Sequence, residues 1–267
     1  MQNNPAFQIL YPSTKKVPIV ISVPHCGTQF PKEMKGSFKQ ELIKFPDDTD
    51  WFVDRLYDFA SELGITMIRS EYSRWVIDLN RDPESKPLYT DGRIITDLVP
   101  KTTFTGKPLY QNGEPDENEV QRRIEKYYKP YHQKLEELLA EIKSEFGKVL
   151  LWEAHSIREF VPTIHPDKFP DLILGDADET SASKDLISIA LKNLGNSSYQ
   201  LSHNSPFKGG HITRKFGDPE NGVHALQLEM TKVKYMDDGE VNYDEDRAGK
   251  MRGILRSTFE ELIRSLS

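Results

Sequence analysis

Short apolar runs alternate along the chain with longer amphipathic stretches. The first clear run, Val17–Val23, reads VPIVISV and is apolar apart from Pro18 and Ser22, which is typical of a strand buried on both faces. Further runs of this kind predict strands at Thr66–Ile68, Trp75–Leu79, Val149–Trp152, Leu172–Leu174 and Val223–Met230. These runs are sufficient for one large sheet.

Apolar residues spaced three and four positions apart predict helices between these strands. The strongest pattern covers Asn118–Phe146, where Tyr127, Tyr131 and Leu135 fall on one side and Gly147 marks the end. The other predicted helices are Thr49–Leu63, Ser181–Leu194 and Arg247–Leu266. Between these elements, Ser85–Gly113 is rich in glycine, proline and threonine and predicts a long surface loop.

Strands separated by helices predict an α/β fold, a three-layer α/β/α sandwich around a mostly parallel, mixed central sheet. The chain shows no internal repeat and no low-complexity segment, so we expect residues 1–267 to form a single domain. In open sheets of this kind, ligands bind at the carboxyl ends of the strands. That edge is therefore where a functional site is expected.

The composition limits the classes of partner. The net charge is −7, so a general nucleic-acid surface is not expected, and an anionic ligand must be held by a local cluster of Arg and Lys. Cys26 is the single cysteine, which precludes an internal disulfide. The chain has no signal-peptide pattern and no apolar run approaching the roughly 20 residues that span a membrane. We expect a soluble cytoplasmic protein without a membrane partner.

Polar residues stand where several predicted strands end. Because the carboxyl ends of parallel strands meet at one edge of a sheet, we expect these side chains to lie together. They are His25, Asn80, Arg81, Glu153, His155 and Glu229.

Two of these residues are histidines, and imidazole together with carboxylate is a ligand set that suits a zinc ion. A catalytic zinc site uses three protein ligands and keeps one position for a water, which then loses its proton near neutral pH. The segment FPDDTDWFVD offers Asp47, Asp48, Asp50 and Asp54 as a third ligand, and the residues alone leave this choice open. A further carboxylate is needed to carry protons, and Glu229 is the candidate.

A second feature is the segment GGHITRKFGDPENG, residues 209 to 222. Its glycines permit close approach of the backbone to a ligand, and Lys208, His211 and Arg214 supply cationic donors. Together with Arg74 and Arg81 they would suit a small substrate that carries carboxylates.

Each of these residues also has an ordinary structural interpretation. A histidine at a strand end is often a hydrogen-bonded structural residue. The aspartates can stabilise the start of a helix, and the basic segment can be a mobile surface loop. Their common placement is what favours a site.

Six blocks of the sequence, spread over nearly the whole chain, resemble the N-formylglutamate amidohydrolases (N-formylglutamate deformylases). This family is distantly similar to zinc carboxypeptidases and aspartoacylases, with a phosphorylase/hydrolase-like α/β/α sandwich. The blocks are VPHCGTQFP, DTDWFVDRLYDFA, SRWVIDLNRDP, TFTGKPLY, LWEAHSI and FKGGHITRKFGDPENGVHALQLEM.

The resemblance implies a catalytic domain with one zinc ion, or another divalent metal, bound by His25 and His155. It implies Asp50 as the third ligand. Thr28 stands where carboxypeptidases have their glutamate ligand, so Asp48, Asp54 and Glu153 remain alternatives to Asp50.

The same resemblance implies roles for the remaining polar residues. Glu229 would be the general acid/base, and Asn80 with Arg81 would bind a substrate carboxylate, with Arg81 also able to stabilise the oxyanion. Arg74, Lys208, His211 or Arg214 would hold a second carboxylate.

The implied reaction is hydrolysis of N-formyl-L-glutamate to formate and L-glutamate, a step of histidine breakdown. The alternatives are a related zinc hydrolase for another N-acyl amino acid or a small peptide, and a non-catalytic small-molecule binding protein. The first alternative shares every catalytic feature and differs only in the substrate pocket. One hydrocarbon unit in a pocket changes discrimination between substrates by only about 1–3 kcal/mol.

Overall fold

A mixed seven-stranded sheet forms the centre of the computed structural model, which describes residues 5–84 and 97–267. Across the sheet the strands follow the order β1-β3-β2-β4-β7-β5-β6. They are β1 (Phe7–Leu10), β2 (Ile19–Val23), β3 (Thr66–Ser70), β4 (Val149–Ile157), β5 (Leu172–Gly175), β6 (Leu201–His203) and β7 (Val223–Thr231). The first twelve residues of the predicted loop, 85–96, lie outside the described residues.

Helices cover both faces of this sheet. The α-helices are α1 (Lys32–Lys35), α2 (Gln40–Ile43), α3 (Val53–Leu56), α4 (Glu117–Arg123), α5 (Lys129–Phe146), α6 (Lys184–Gly195), α7 (His211–Phe216) and α8 (Glu245–Leu266). A π-helical turn, Ile124–Tyr128, joins α4 to α5, and short 3₁₀ helices cover Asp58–Leu63, Pro219–Asn221 and Lys232–Lys234. Within the described residues, no helix has both the length and the apolar character needed to cross a bilayer.

Most strand pairs in the sheet are parallel. β3, β2, β4 and β7 are parallel neighbours, and β5 pairs with β6 in the same way. β1 on β3 and β5 on β7 are antiparallel. The predicted α/β class with a mostly parallel, mixed sheet between helices is confirmed.

The side chains of β4 alternate between two cores. Leu150 and Trp152 lie in the core beneath α6 and α8, whereas Val149 and Leu151 lie in the core beneath α5. Since neighbouring residues of a strand point to opposite faces, Glu153 and His155 continue the face of Val149 and Leu151. β7 changes in the same way, from Val223 and Ala225 to Gln227 and Glu229. Polar side chains thus replace the apolar core at the carboxyl-terminal half of the two central strands.

Two predicted elements are wrong. Trp75–Leu79 is buried but forms no strand; it makes turns, with Val76 N donating to Ser73 O at 2.8 Å and Asp78 N donating to Leu98 O at 2.8 Å. Its apolar side chains are hidden by packing rather than by pairing in the sheet. Thr49–Leu63 is not one helix, because Phe52 has a φ of +62°, and helical structure begins only after it.

The other predicted elements exist with shifted bounds. The most consequential shift is in β4, which continues to Ile157, so that Glu153 and His155 lie inside the strand rather than after it. The prediction omitted β1, β6, α1, α2 and α7, which are too short for a periodic pattern to reveal.

The turn after β2 requires a glycine because of a close approach. Gly27 N donates to Ser70 Oγ at 3.1 Å, and a Cβ at Gly27 would lie 2.3 Å from the carbonyl oxygen of Tyr72. The contact is with backbone atoms, which cannot rotate away. Gly27 therefore fixes the path of the chain two residues after His25.

We predict that Gly27→Ala lowers the free energy of unfolding by about 1–3 kcal/mol, as other overpacked sites do. Gly36→Ala is the matched control, because Gly36 has a φ of −72° and no atom within 4 Å of its added Cβ. Urea denaturation measures both variants. Equal stability of Gly27→Ala and the wild-type chain would contradict the steric explanation.

Candidate metal centre

Three buried side chains that can ligate a metal converge at the polar end of β2 and β4. They are His25, Asp50 and His155, and one ligand atom of each lies within 4.8 Å of the other two. Asp50 Oδ2 is 2.9 Å from His155 Nδ1 and 3.8 Å from His25 Nδ1. Within residues 5–84 and 97–267 this is the one group of its kind.

The backbone brings these three residues together from distant parts of the sequence. β2 and β4 are parallel neighbours with Ser22 opposite Glu153, so His25 and His155 lie at a similar level along the strand direction. The amide of Asp50 donates to the carbonyl oxygen of His25 at 3.0 Å, which ties the acidic segment to the turn after β2.

Each histidine is held from behind by a carboxylate. His25 Nε2 is 2.7 Å from Asp78 Oδ1, and His155 Nε2 is 2.8 Å from Glu153 Oε1. Because an ionised carboxylate can only accept a hydrogen bond, each Nε2 carries a hydrogen, and Nδ1 is the nitrogen that can ligate a metal. For His155, Nδ1 shares a hydrogen with Asp50 Oδ2 that a bound metal ion would displace. Histidines that ligate a metal are generally held in this way.

His25 Nδ1 gives the strongest indication that the group fits a cation. This atom is buried and has no hydrogen-bond partner among the described residues, although Asp50 lies 3.8 Å away. A buried polar atom without a partner is costly, and a metal ion bound between the three ligand atoms would satisfy it.

The carboxylate behind His25 is already paired with arginines. Arg74 Nη2 lies 2.6 Å from Asp78 Oδ2, and Arg81 Nη2 lies 3.7 Å from the same atom. Burial acts to raise the pKa of Asp78, but these arginines and His25 outweigh it and hold that pKa well below its usual range. Asp78 is therefore balanced by its own cations.

His155 has a different environment from His25. Burial, with Arg74, lowers the pKa of His25 to about 4. Burial also acts to lower the pKa of His155, but the carboxylates of Glu153 and Asp50 outweigh it and raise that pKa to about 10. The surroundings of His155 thus stabilise positive charge, whichever ion supplies it.

The alternatives to Asp50 are engaged elsewhere. Asp48 accepts hydrogen bonds from Trp75 Nε1 at 2.7 Å and from the amide of Phe104 at 3.1 Å. Asp54 pairs with Arg69. Glu153 lies on the Nε2 side of His155, away from His25 Nδ1. The structure brings only Asp50 of the four together with both Nδ1 atoms.

Glu229 lies beside this group on the neighbouring strand. It is opposite His155 in the β4–β7 register, and its side chain is half-buried. Burial raises the pKa of Glu229 to about 8, with Asp50 and Glu153 acting in the same direction and His155 and Arg74 opposing it. Glu229 can therefore hold or release a proton near neutral pH.

Arg74 and Arg81 lie near the site, and Asn80 supports it. The guanidinium of Arg74 is buried over the ring of Phe104, 4.7 Å from its centroid. Asn80 Nδ2 is 3.1 Å from His155 Nε2, while Asn80 Oδ1 accepts from the amide of Ile212 at 2.8 Å. Arg81 Nη1 donates to the carbonyl oxygen of Asn80 at 2.9 Å, and a fifth of its side chain (21%) is exposed.

The basic segment begins with α7 rather than forming an open loop. His211 is the first residue of α7 and is half-buried, which lowers its pKa. Arg214 Nε donates to the carbonyl oxygen of Gly209 at 3.0 Å, and Lys208 pairs with Asp178 at 2.9 Å near the surface. The binding roles of these three residues stay predictions.

Gly210 approaches Asn80 rather than a ligand. A Cβ at Gly210 would lie 2.2 Å from Asn80 Nδ2, so no larger residue fits there without displacing Asn80. The space beside this glycine, which was expected to admit a ligand, is occupied by Asn80, a residue that contacts His155.

Two functional-site neighbours were missed in the sequence. Asp78 supports His25, and its signal is that it is the single polar residue in the run WVIDL. Lys232 is buried and donates from Nζ to the carbonyl oxygen of Asp47 at 3.1 Å; burial lowers its pKa. It directly follows β7, so the strand-end rule would have found it.

Comparison with known proteins gives a consistent result. A sequence model described as N-formylglutamate amidohydrolase matches residues 17–236, which include His25, Asp50, His155 and Glu229. A protein of Pseudomonas aeruginosa named N-formylglutamate deformylase is 42% identical over 253 residues, 93% of each chain. One of the same name from Pseudomonas putida is 38% identical over 252 residues, again 93% of each.

A solved structure agrees with these relatives. The crystal structure of an N-formylglutamate amidohydrolase from Ralstonia eutropha JMP134 superposes with a TM-score of 0.82 at 26% identity. The superposition covers 96% of this chain and 97% of that chain. The likeness therefore extends over nearly the whole length of both chains.

We predict that Asp50→Asn weakens zinc binding by more than about 100-fold, since losing a direct ligand exceeds the roughly 10–100-fold effect of losing an outer partner. Asp48→Asn is the control, because Asp48 is equally buried and only two residues away. It should lower the stability and leave zinc binding unchanged. Competition with a chromogenic chelator measures the affinity; loss of zinc in Asp48→Asn alone would exchange the two assignments.

Proposed function

The chain belongs to the N-formylglutamate amidohydrolase family, and we propose that it is a zinc-dependent deformylase that hydrolyses N-formyl-L-glutamate to formate and L-glutamate. The observation that carries the proposal is the buried group of His25, Asp50 and His155, with Glu229 opposite His155 on the neighbouring strand. Relatives named as N-formylglutamate deformylases, at 42% and 38% identity, support the choice of substrate. We propose that residues 1–267 act as one catalytic domain.

We propose that zinc is the resident metal. Two imidazoles and one carboxylate are typical of a catalytic zinc site, since three protein ligands leave a position open. When bound there, the ion would polarise the formyl carbonyl and make a water acidic enough to attack it at neutral pH. Asp78 would keep His25 oriented for it.

Glu229 is the proposed general acid/base. Its carboxylate would accept a proton from the attacking water and deliver it to the departing nitrogen of glutamate. A group that does both must bind a proton neither too weakly nor too tightly, and burial of Glu229 raises its pKa towards that range.

Arg74 and Arg81 are the proposed partners of the negative charge on the substrate. Arg74 is buried over the ring of Phe104 and pairs with Asp78, and we propose that its guanidinium helps to stabilise the negative charge of the oxyanion. Arg81 is more exposed and is proposed to bind a substrate carboxylate together with Asn80, whose carbonyl oxygen accepts a hydrogen bond from Arg81 Nη1 at 2.9 Å. Lys208, His211 and Arg214 are proposed for the second carboxylate.

The first test is formate release from N-formyl-L-glutamate by the purified chain. We expect release that is lost after chelation and restored by zinc, because the ligand group is needed for both binding and chemistry. A folded, zinc-loaded chain that releases no formate would contradict the substrate. In that case the same assay with other N-acyl amino acids and short peptides would test the related hydrolases.

The second test is Glu229→Gln. We expect a fall in kcat of about 10²–10⁴-fold with zinc content unchanged, because the amide cannot accept the proton and does not ligate the metal. Glu220→Gln, at an exposed position in the same region of the chain, is the control and should be fully active. Retained activity of Glu229→Gln would remove this residue from the mechanism.

A further inference from the structure

Glu153 is a fully buried carboxylate that the proposed reaction does not use. Oε1 lies 2.8 Å from His155 Nε2, and Oε2 accepts from the amide of Thr213 at 3.1 Å and from the Thr213 hydroxyl. Both oxygens are therefore engaged, one by a metal-ligating histidine and the other by the first turn of α7.

The charge on Glu153 is not balanced in the way that Asp78 is. Asp78 has Arg74 and Arg81 within 4.0 Å, whereas the only ion-pair partner of Glu153 in the described chain is His155. A buried charge is retained where it is paired or where it supports a metal. Apart from the two hydrogen bonds from Thr213, the charge of Glu153 is therefore compensated through His155.

A carboxylate at this position also selects one form of the imidazole. It can only accept, so it keeps a hydrogen on Nε2 and makes Nδ1, which faces Asp50 Oδ2 at 2.9 Å, the nitrogen that can ligate a metal. A neutral amide in the same place could donate to Nε2 instead, which would move the hydrogen to Nδ1 and block the ligand atom.

Glu153 also connects the metal site to α7. Three amides at the start of α7 donate to side chains: Gly210 to Gln227, Ile212 to Asn80, and Thr213 to Glu153. Asn80 and Glu153 both lie within hydrogen-bond distance of His155 Nε2, whereas no hydrogen bond joins Gln227 to a ligand in the described residues. Of the three residues that anchor α7, Asn80 and Glu153 thus contact His155, and Gln227 does not.

We infer that Glu153 is a positioning residue that holds His155 in its metal-binding form and, through Thr213, joins the metal centre to α7. This inference rests on the metal site of the proposed function, but it concerns metal binding and not hydrolysis. It requires that the strength and geometry of metal binding depend on the carboxylate of Glu153.

The decisive variant is Glu153→Gln, which keeps the size of the side chain and removes its charge. We expect zinc affinity to fall about 10–100-fold in chelator competition, the usual effect of losing such a partner. We also expect the visible absorption bands of the cobalt-substituted chain to shift. A merely structural role would change the unfolding temperature of the metal-free chain and leave both readouts as in the wild type.

The matched control is Gln227→Met, which removes the other anchor of α7 without touching a ligand. Gln227 is opposite Glu153 in the β4–β7 register and is also buried. This variant should bind zinc and cobalt as the wild type does, even if its unfolding temperature falls. Equal weakening in both variants would assign the effect to α7 anchoring and overturn the role of Glu153.

Thr213 provides a second pair of variants if Glu153→Gln does not fold. Thr213→Val removes the hydroxyl donor to Glu153 and should weaken zinc binding several-fold, while Thr213→Ser should restore it. The inference would be overturned if Glu153→Gln kept the zinc affinity and cobalt spectrum of the wild type. Where Glu153→Gln is unfolded, the same result in Thr213→Val would overturn it, as would equal weakening of zinc binding in Thr213→Val and Thr213→Ser. A wild-type chain that binds neither ion would instead remove the metal site itself.

Discussion

Buried negative charge beside two histidines is the constraint on which the rest of the site depends. Asp50, Asp78 and Glu153 are all withdrawn from solvent at the polar end of the two central strands. Arg74, the buried arginine of this group, is already committed to Asp78. Because charge in a protein interior must be compensated, the remaining carboxylates make the space between the Nδ1 atoms of His25 and His155 favourable for a cation.

The fold supplies this charge without disturbing the core. The register of the parallel neighbours β2 and β4 sets the positions of His25 and His155 along the strand direction. The regular alternation of side chains in β4 directs Glu153 and His155 to one face. The opposite face of the same strand stays apolar, with Trp152 in the core beneath α8. One face of β4 therefore packs into the core, and the other face carries residues of the site.

Sequence patterns were sufficient for five of the seven strands that the structure describes, for the long helices and for the ligand-type residues. His25, His155 and Glu229 were found because polar residues at the ends of buried strands are unusual, and the family resemblance favoured Asp50. What the sequence could not show is pairing between distant residues: Asp78 supports His25 across 53 positions, and Asn80 contacts His155 across 75. Trp75–Leu79 failed for the related reason that burial against helices and burial in a sheet leave the same apolar pattern.

The anchoring of α7 also bears on how such a site can diversify. The backbone at the start of this helix is held by hydrogen bonds to Gln227, Asn80 and Glu153, and these three contacts do not involve the side chains of His211 and Arg214. His211 and Arg214 can then be substituted while these three contacts still hold the start of α7. Libraries that vary these two positions would show whether the proposed substrate contacts of α7 determine which acids are accepted, with the metal-ligand residues themselves left unchanged.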